Sequence, residues 1–326
     1  MGTIILTGGD TAAVLPREDV IGMVDTVFKA WGDGDVVMPP KINLDMSRCG
    51  FDSWANAMPA CVVTRNVAGV KWIGGYKGNA AKGLPYIMGI VVLTDPETGR
   101  TLAVMDAAYI SDWRTGASAA IAAKYLANPG LGKVAVVGAG AQGKTAAVCL
   151  RHVFPEAEIA VADVAPERLR AFRAEMAGKY QVEVTEAKSA EDALRGAGAA
   201  VLLTTATKPF VEAGWVPEGC VTLAMGSYQQ AEDGLILGAD KIFVDSWGQA
   251  AHRGELKNLC DAGKIGEADI SAELGFVAAG KRPGRANAKE RILAVLVGLG
   301  AHDVLIAGEA YRRAVERGLG QTVNLN

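Results

Sequence analysis

Gly138, Gly140 and Gly143 stand at the spacing G-x-G-x-x-G, and Asp163 follows twenty residues after the last of them. Each has a physical job in gripping a dinucleotide. Gly138 permits a tight turn off a strand. Gly140 offers bare backbone to a pyrophosphate, and Gly143 lets the following helix pack close. The helix N-terminus then presents unpaired N–H groups and the positive end of its dipole to the phosphates. Asp163 suits the adenosine ribose hydroxyls and repels a 2′-phosphate, so NAD(H) is expected over NADP(H). Arg168, five residues on, is the one nearby cation that keeps NADP(H) possible. A second group of residues could handle a small anion and a proton. Lys71 lies between Val70 and Trp72 in an apolar stretch, where it faces either outward or into a site. A buried ammonium is costly and would need a carboxylate. Arg114 has the fork geometry that grips a carboxylate in two places. Asp303 is a second candidate for handling a proton, or simply caps the helix that follows it. His302 beside it is a possible acid or base, and Lys41 is a third cation for an anionic substrate.

The elements that must position these residues show in the apolar pattern. Val134 to Val137 is a continuous apolar run, as in a buried parallel strand. From Lys133 the chain alternates strands (133–137, 158–164, 200–205, 220–225, 241–245) with helices near 141–153, 166–178 and 189–195. That is the rhythm of a doubly wound parallel sheet. A further helix is expected at 287–299 and a last one from Val304 to Arg317. Before Lys133, a helix at 19–31 closing at Gly32 precedes strands at 60–64, 69–73, 86–94 and 101–106, then an alanine-rich helix at 112–127 with Arg114 at its start. The fold expected is α/β: a Rossmann doubly wound parallel sheet domain, 128–303, inserted in an α+β domain made of 1–127 and 304–326.

Composition narrows the function. At 326 residues, half of them hydrophobic, the chain is long enough for two cores. A net charge of −3 without a dense basic run gives no footprint for nucleic acid. The five cysteines have no C-x-x-C spacing and the three histidines no metal-ligand spacing, so reduced thiols, a cytoplasmic setting and no metal are expected. The Met1–Leu6 stretch lacks the basic residues and apolar length of a secretory leader, and no apolar run reaches membrane-spanning length, so no membrane association is expected.

An ordered set of motifs resembles the ornithine cyclodeaminase/mu-crystallin family. The set comprises Gly69-Val-Lys71, Gly83-Leu-Pro85, Asp95 with Thr98-Gly99, Ala103-Val-Met-Asp106, Arg114-Thr-Gly-Ala117, Ala122-Ala-Lys-Tyr-Leu126, the glycine loop, Val244-Asp245, Gly254-Glu255-Leu256 and Asp303. It spans nearly the whole chain. The resemblance implies a homodimer, with substrate binding and dimerisation in the outer domain. It also implies an oxidoreductase working on the C–N bond of a small imino or amino acid that carries a carboxylate. By the same resemblance, Lys71, Arg114 and Asp303 are the catalytic residues, with Lys41, Lys71, Arg114 and Tyr228 at the substrate. Gly138, Gly140, Ala141, Gln142, Gly143, Asp163, Arg168, Thr205 and Ser227 are the expected cofactor contacts. The chain departs from cyclodeaminases at Gly226-Ser-Tyr-Gln-Gln-Ala231. There Tyr228 replaces the acid that activates the amine for ring closure, and a phenol is a poor base at neutral pH. The alternatives to a ketimine reductase or amino-acid dehydrogenase are an ornithine cyclodeaminase and a non-catalytic dinucleotide-binding protein.

Overall fold

The computed structural model describes residues 2–325. The chain forms two compact units. One gathers the chain up to Arg114 with the stretch from Leu299 onward; the other is Thr115–Gly298. The chain crosses between units inside the helix Ala108–Leu126 and just ahead of the helix Gly300–Arg317, not after residues 127 and 303 as the sequence suggested.

In the first unit, mostly antiparallel strands run in the order Gln321–Val323, Thr3–Leu6, Thr101–Asp106, Ile87–Thr94, Val67–Tyr76, Ser53–Val62, Val36–Val37, with Ile42–Asp45 also paired to Ser53–Val62. The period-two alternation of Val67–Tyr76 decides what each face does. Lys71 and Ile73, with Val91 and Leu93 of the next strand, point to the side covered by the helix Gly300–Arg317. That helix lies close enough that a Cβ on Gly300 would sit 2.8 Å from the Met58 carbonyl oxygen. On the opposite face Trp72, Met88 and Ile90 are exposed, and Val70, Val92 and Val104 half-buried. A helix Arg17–Asp33 stops at Gly34, which takes the left-handed conformation at φ 83°. The stop falls two residues beyond the expected Gly32 because Gly32 is still helical and buried.

The second unit is a parallel sheet in the order Thr185–Glu186, Glu158–Ala162, Lys133–Val137, Ala199–Leu202, Val221–Ala224, Ile292–Val295, Lys241–Val244, Ala272–Glu273. Strand order reverses beside Lys133–Val137, which pairs with Glu158–Ala162 on one side and Ala199–Leu202 on the other. Open α/β sheets bind ligands at such a switch point, outside the carboxyl ends of the strands. The expected helix at 287–299 is a strand instead. Ile292–Val295 is buried on both faces between two parallel neighbours, and a short apolar run fits such a strand as well as a buried helix. The other strands keep their places but end sooner: Glu158–Ala162 before Asp163, and Ala199–Leu202 before Thr204.

Candidate functional site

The glycine loop is a cradle built from backbone. Gly138 takes φ 114°, which L side chains avoid, and a Cβ there would lie 2.6 Å from the Leu203 carbonyl oxygen. A Cβ on Gly143 would lie 2.0 Å from the Gly138 carbonyl oxygen, so helix Ala141–Val153 can sit this close to the turn only with glycine there. Beside Gly140 the space is open, and this residue caps the helix with no side chain closing its N–H groups. A positive helix end facing open space fits a pyrophosphate. Asp163 stands just past the second strand, and its carboxylate braces the turn. Oδ2 accepts the Ala139 N–H at 2.9 Å and Oδ1 the Ala165 N–H at 2.9 Å. Arg168 lies 3.6 Å from Oδ1. Val164, next in the chain, is fully exposed and brings no cation. Ala141 and Gln142 open the helix, while Thr205, Ser227 and Tyr228 lie exposed on the loops after the Ala199–Leu202 and Val221–Ala224 strands.

The second constellation is made of side chains and lies in the first unit. Lys71 is 0 % exposed, so it faces inward. Its Nζ is 2.7 Å from Asp303 Oδ1 and 3.4 Å from Ser111 Oγ, while Arg114 Nε lies 3.3 Å from the same Asp303 oxygen. The last helix starts at Gly300, not Val304. Asp303 is therefore inside its first turn and fully buried, a partner for two cations in place of the expected cap. Arg114 is likewise inside its helix, which begins at Ala108 where Asp106 accepts the Ala108 N–H. Burial, with Arg114 close by, pushes Lys71 from its usual 10.5 to about 8 against the pull of Asp303. Burial pushes Asp303 upward, but Lys71 and Arg114 outweigh it and hold the carboxyl below its ordinary value. His302 is neutral: burial and then Arg114 bring it down to about 3, and its ring stands edge-on to Phe28 at 4.7 Å. It serves packing, not proton transfer at neutral pH. The two cations held around Asp303 are of the kind that grip a substrate carboxylate.

Sequence reasoning missed Ser111 and Asp112. Burial raises Asp112 to about 6, against the pull of Arg114 and Lys71. The signal was available, since Ser111 and Asp112 precede Arg114 by three and two residues on the same helix, within one turn of a residue already singled out. It also missed why glycine follows in Arg114-Thr-Gly-Ala117: a Cβ on Gly116 would lie 2.4 Å from the Thr145 carbonyl carbon. Lys41 precedes the edge strand Ile42–Asp45 and is half-buried. Tyr228 belongs to the other unit and is 50 % exposed.

The model of the ornithine cyclodeaminase/mu-crystallin family matches residues 3–318. The chain belongs to that family. Among its relatives, the alanine dehydrogenase of Archaeoglobus fulgidus is 34 % identical over 99 % of this chain and 98 % of that one. Two solved family structures share the fold throughout. The Thermococcus litoralis Δ1-pyrroline-2-carboxylate reductase, in complex with NADH and L-proline, has a TM-score of 0.92 at 28 % identity, covering 98 % of this chain and all of that one. An archaeal alanine dehydrogenase dimer with bound NAD has a TM-score of 0.92 at 34 % identity, with both chains covered in full. The second unit is thus a Rossmann domain by topology, by loop geometry and by likeness. Among the described residues, no helix is long and apolar enough to cross a membrane.

Proposed function

We propose that this protein is an NAD(H)-dependent oxidoreductase that reduces a small ketimine to an amino acid, or runs the reverse oxidative deamination. The observation that carries the reading is the buried Lys71–Asp303–Arg114 cluster in a chain that also holds a dinucleotide cradle. The alanine dehydrogenase and pyrroline-carboxylate reductase relatives support it. The Thr115–Gly298 unit serves as the NAD-binding domain; the other unit serves substrate binding and dimerisation.

Arg114 and Lys71, with Lys41, bind the α-carboxylate and orient the carbon next to it. Bound NADH supplies the hydride. Lys71 donates a proton to the imine nitrogen and recovers it in the reverse direction; a lysine brought down to about 8 can do both near neutrality. Asp303 holds both cations in place, and its lowered pKa suits that task and not proton donation. Asp163 binds the adenosine ribose, so NAD(H) is preferred, with NADP(H) reached through Arg168. The ring-closing reading draws no support from Tyr228, a phenol on an exposed loop. The apolar sheet face of Trp72, Met88 and Ile90 packs against a second copy to form a homodimer, in keeping with the dimeric alanine dehydrogenase.

The test is NADH oxidation with pyruvate plus ammonia or methylamine, iminosuccinate and cyclic imino acids. Turnover of at least one of these by the wild type, lost in Lys71→Ala, is the expected result. Absence of turnover across the set, with NADH still bound, would leave the binding-protein reading. Light scattering on Trp72→Glu, expected to shift the mass from dimer to monomer, checks the sheet face.

A further inference from the structure

The exposed Thr205, Ser227 and Tyr228 lie on loops that a largely buried polar frame ties together. Gln230 is its hub and is fully buried. Its side-chain Oε1 accepts the Thr204 N–H at 3.1 Å and the Thr204 hydroxyl at 2.6 Å. A backbone N–H can only donate, so the Gln230 amide has one orientation here. Its backbone carbonyl accepts the N–H groups of Phe210 at 2.8 Å and Val211 at 3.0 Å. Its own N–H points at Glu255, 3.0 and 3.1 Å from the two carboxylate oxygens. Glu255 also accepts the Ala231 N–H at 2.5 Å and is 1 % exposed. Gly226 is fitted to this frame, because a Cβ there would lie 2.1 Å from Gln230 Nε2. Gly254, next to Glu255 and at φ 70°, lets that segment run close by the Gly226 carbonyl. Three segments, 203–211, 225–231 and 254–255, are therefore tied through one glutamine and one glutamate.

Among the described residues no ion pair reaches Glu255. A buried carboxylate without a cation is a costly brace. One of its oxygens, Oε1, accepts both converging backbone N–H groups, and the other adds a second contact to the Gln230 N–H. The loops it ties follow the carboxyl ends of adjacent parallel strands, where open α/β sheets bind their ligands.

We propose that Glu255 is a positioning residue for catalysis: it fixes the Gln230–Ala231 backbone that ends the Ser227–Tyr228 loop and, through Gln230, the Thr204–Thr205 segment, so that one buried carboxylate sets both loops. The substrate-side readout rests on the imine-oxidoreductase reading above, while the cofactor-side readout does not.

The experiment uses the full-length protein, with NADH titrated by its fluorescence and steady-state kinetics on Δ1-pyrroline-2-carboxylate as probe, or on the fastest substrate of the panel. Glu255→Ala is expected to raise the NADH Kd and the imine KM each by about ten-fold, with a smaller fall in kcat. Glu255→Gln keeps a carbonyl acceptor for the converging N–H groups and recovers most of the loss. Thr204→Val removes the hydroxyl link to Gln230 and the hydroxyl's acceptance of the Ala206 N–H, keeps the Thr204 N–H bond to Gln230, and is expected to raise the NADH Kd by about three-fold at an unchanged melting temperature. Normal Kd and KM in a folded Glu255→Ala protein overturn the proposal. Should that variant not fold, a normal NADH Kd in the folded Thr204→Val protein overturns it. A wild type that binds NADH but reduces no imine defeats the functional reading alone, and the Kd series still decides the role of Glu255.

Discussion

Asp303 and Glu255 are both carboxylates lost to solvent, and they behave in opposite ways. Asp303 lies between Lys71 and Arg114 and is held below its ordinary pKa. Glu255 meets only backbone N–H groups, and burial lifts it from 4.5 to about 7 although those amides pull it down. Burial is common to both, so the difference comes from what the fold places opposite. Full charges keep an acid ionised, whereas peptide dipoles hold its shape but leave it able to take a proton. The first arrangement suits a site that must bind another anion; the second suits a scaffold.

The comparison can be broken most forcefully at Asp303. Asp303→Ala removes the buried carboxylate that Lys71 and Arg114 share, so a stability loss of about 3–5 kcal/mol by chemical denaturation is expected. A loss below about 1 kcal/mol would mean that the pair is solvated and the contrast false. Next in size, Lys71→Ala and Arg114→Ala should each lower kcat/KM by about 10²–10⁴-fold, and Arg114→Lys should recover little because the forked grip is gone. Near-normal kinetics in both alanine variants would remove the cluster from catalysis. In the wild type, kcat/KM for reduction should fall as pH rises through about 8, where Lys71 loses its proton, and oxidation should rise through the same range. An inflection that persists in Lys71→Gln would belong to another group.

Stability sharpens the other half. Because the folded-state pKa of Glu255 is raised, its contribution is fully present below 4.5 and is lost as pH rises through about 7. Glu255→Gln cannot titrate. Its melting temperature relative to wild type should therefore climb between pH 5 and pH 8, and parallel curves would show that Glu255 does not titrate in that window. The smallest effect is expected at Asp163, where Ser should shift preference toward NADPH by about ten-fold, through Arg168 freed from its pair. An unchanged NADPH/NADH ratio of kcat/KM would separate Asp163 from the ribose.

The two sites differ in how far they could be read in advance. The cradle is local. Its glycines, strand and helix lie within the single stretch Lys133–Val153, and Lys133–Val137 and Ala141–Val153 have the bounds that pattern alone predicted. The cluster is not local. Lys71, Arg114 and Asp303 come from a strand and two helices far apart in sequence, and only the tertiary structure shows that Lys71 faces inward. Their names were available through resemblance, but their pairing was not. Glu255 was visible only as part of a motif, because its partners are backbone N–H groups and leave no mark on residue types. The helix misplaced at 287–299 failed for a related reason: an apolar run buried on both sides has no face to give its period away.

The ion pair between Arg114 and Asp303 has a consequence for chain architecture. The chain leaves the first unit immediately after Arg114 and returns at Leu299, a turn of helix before Asp303, and the two side chains meet at 3.3 Å. The whole Rossmann domain is therefore a loop whose ends are pinned together. Loop-closure entropy grows only with the logarithm of length, about 0.6 kcal/mol per doubling, so the outer fold hardly registers how much chain is carried there. An insert of this size is tolerated for the same reason that a short linker joining the two ends would be, and the Arg114–Asp303 ion pair acts as the clasp that makes the outer unit indifferent to its cargo.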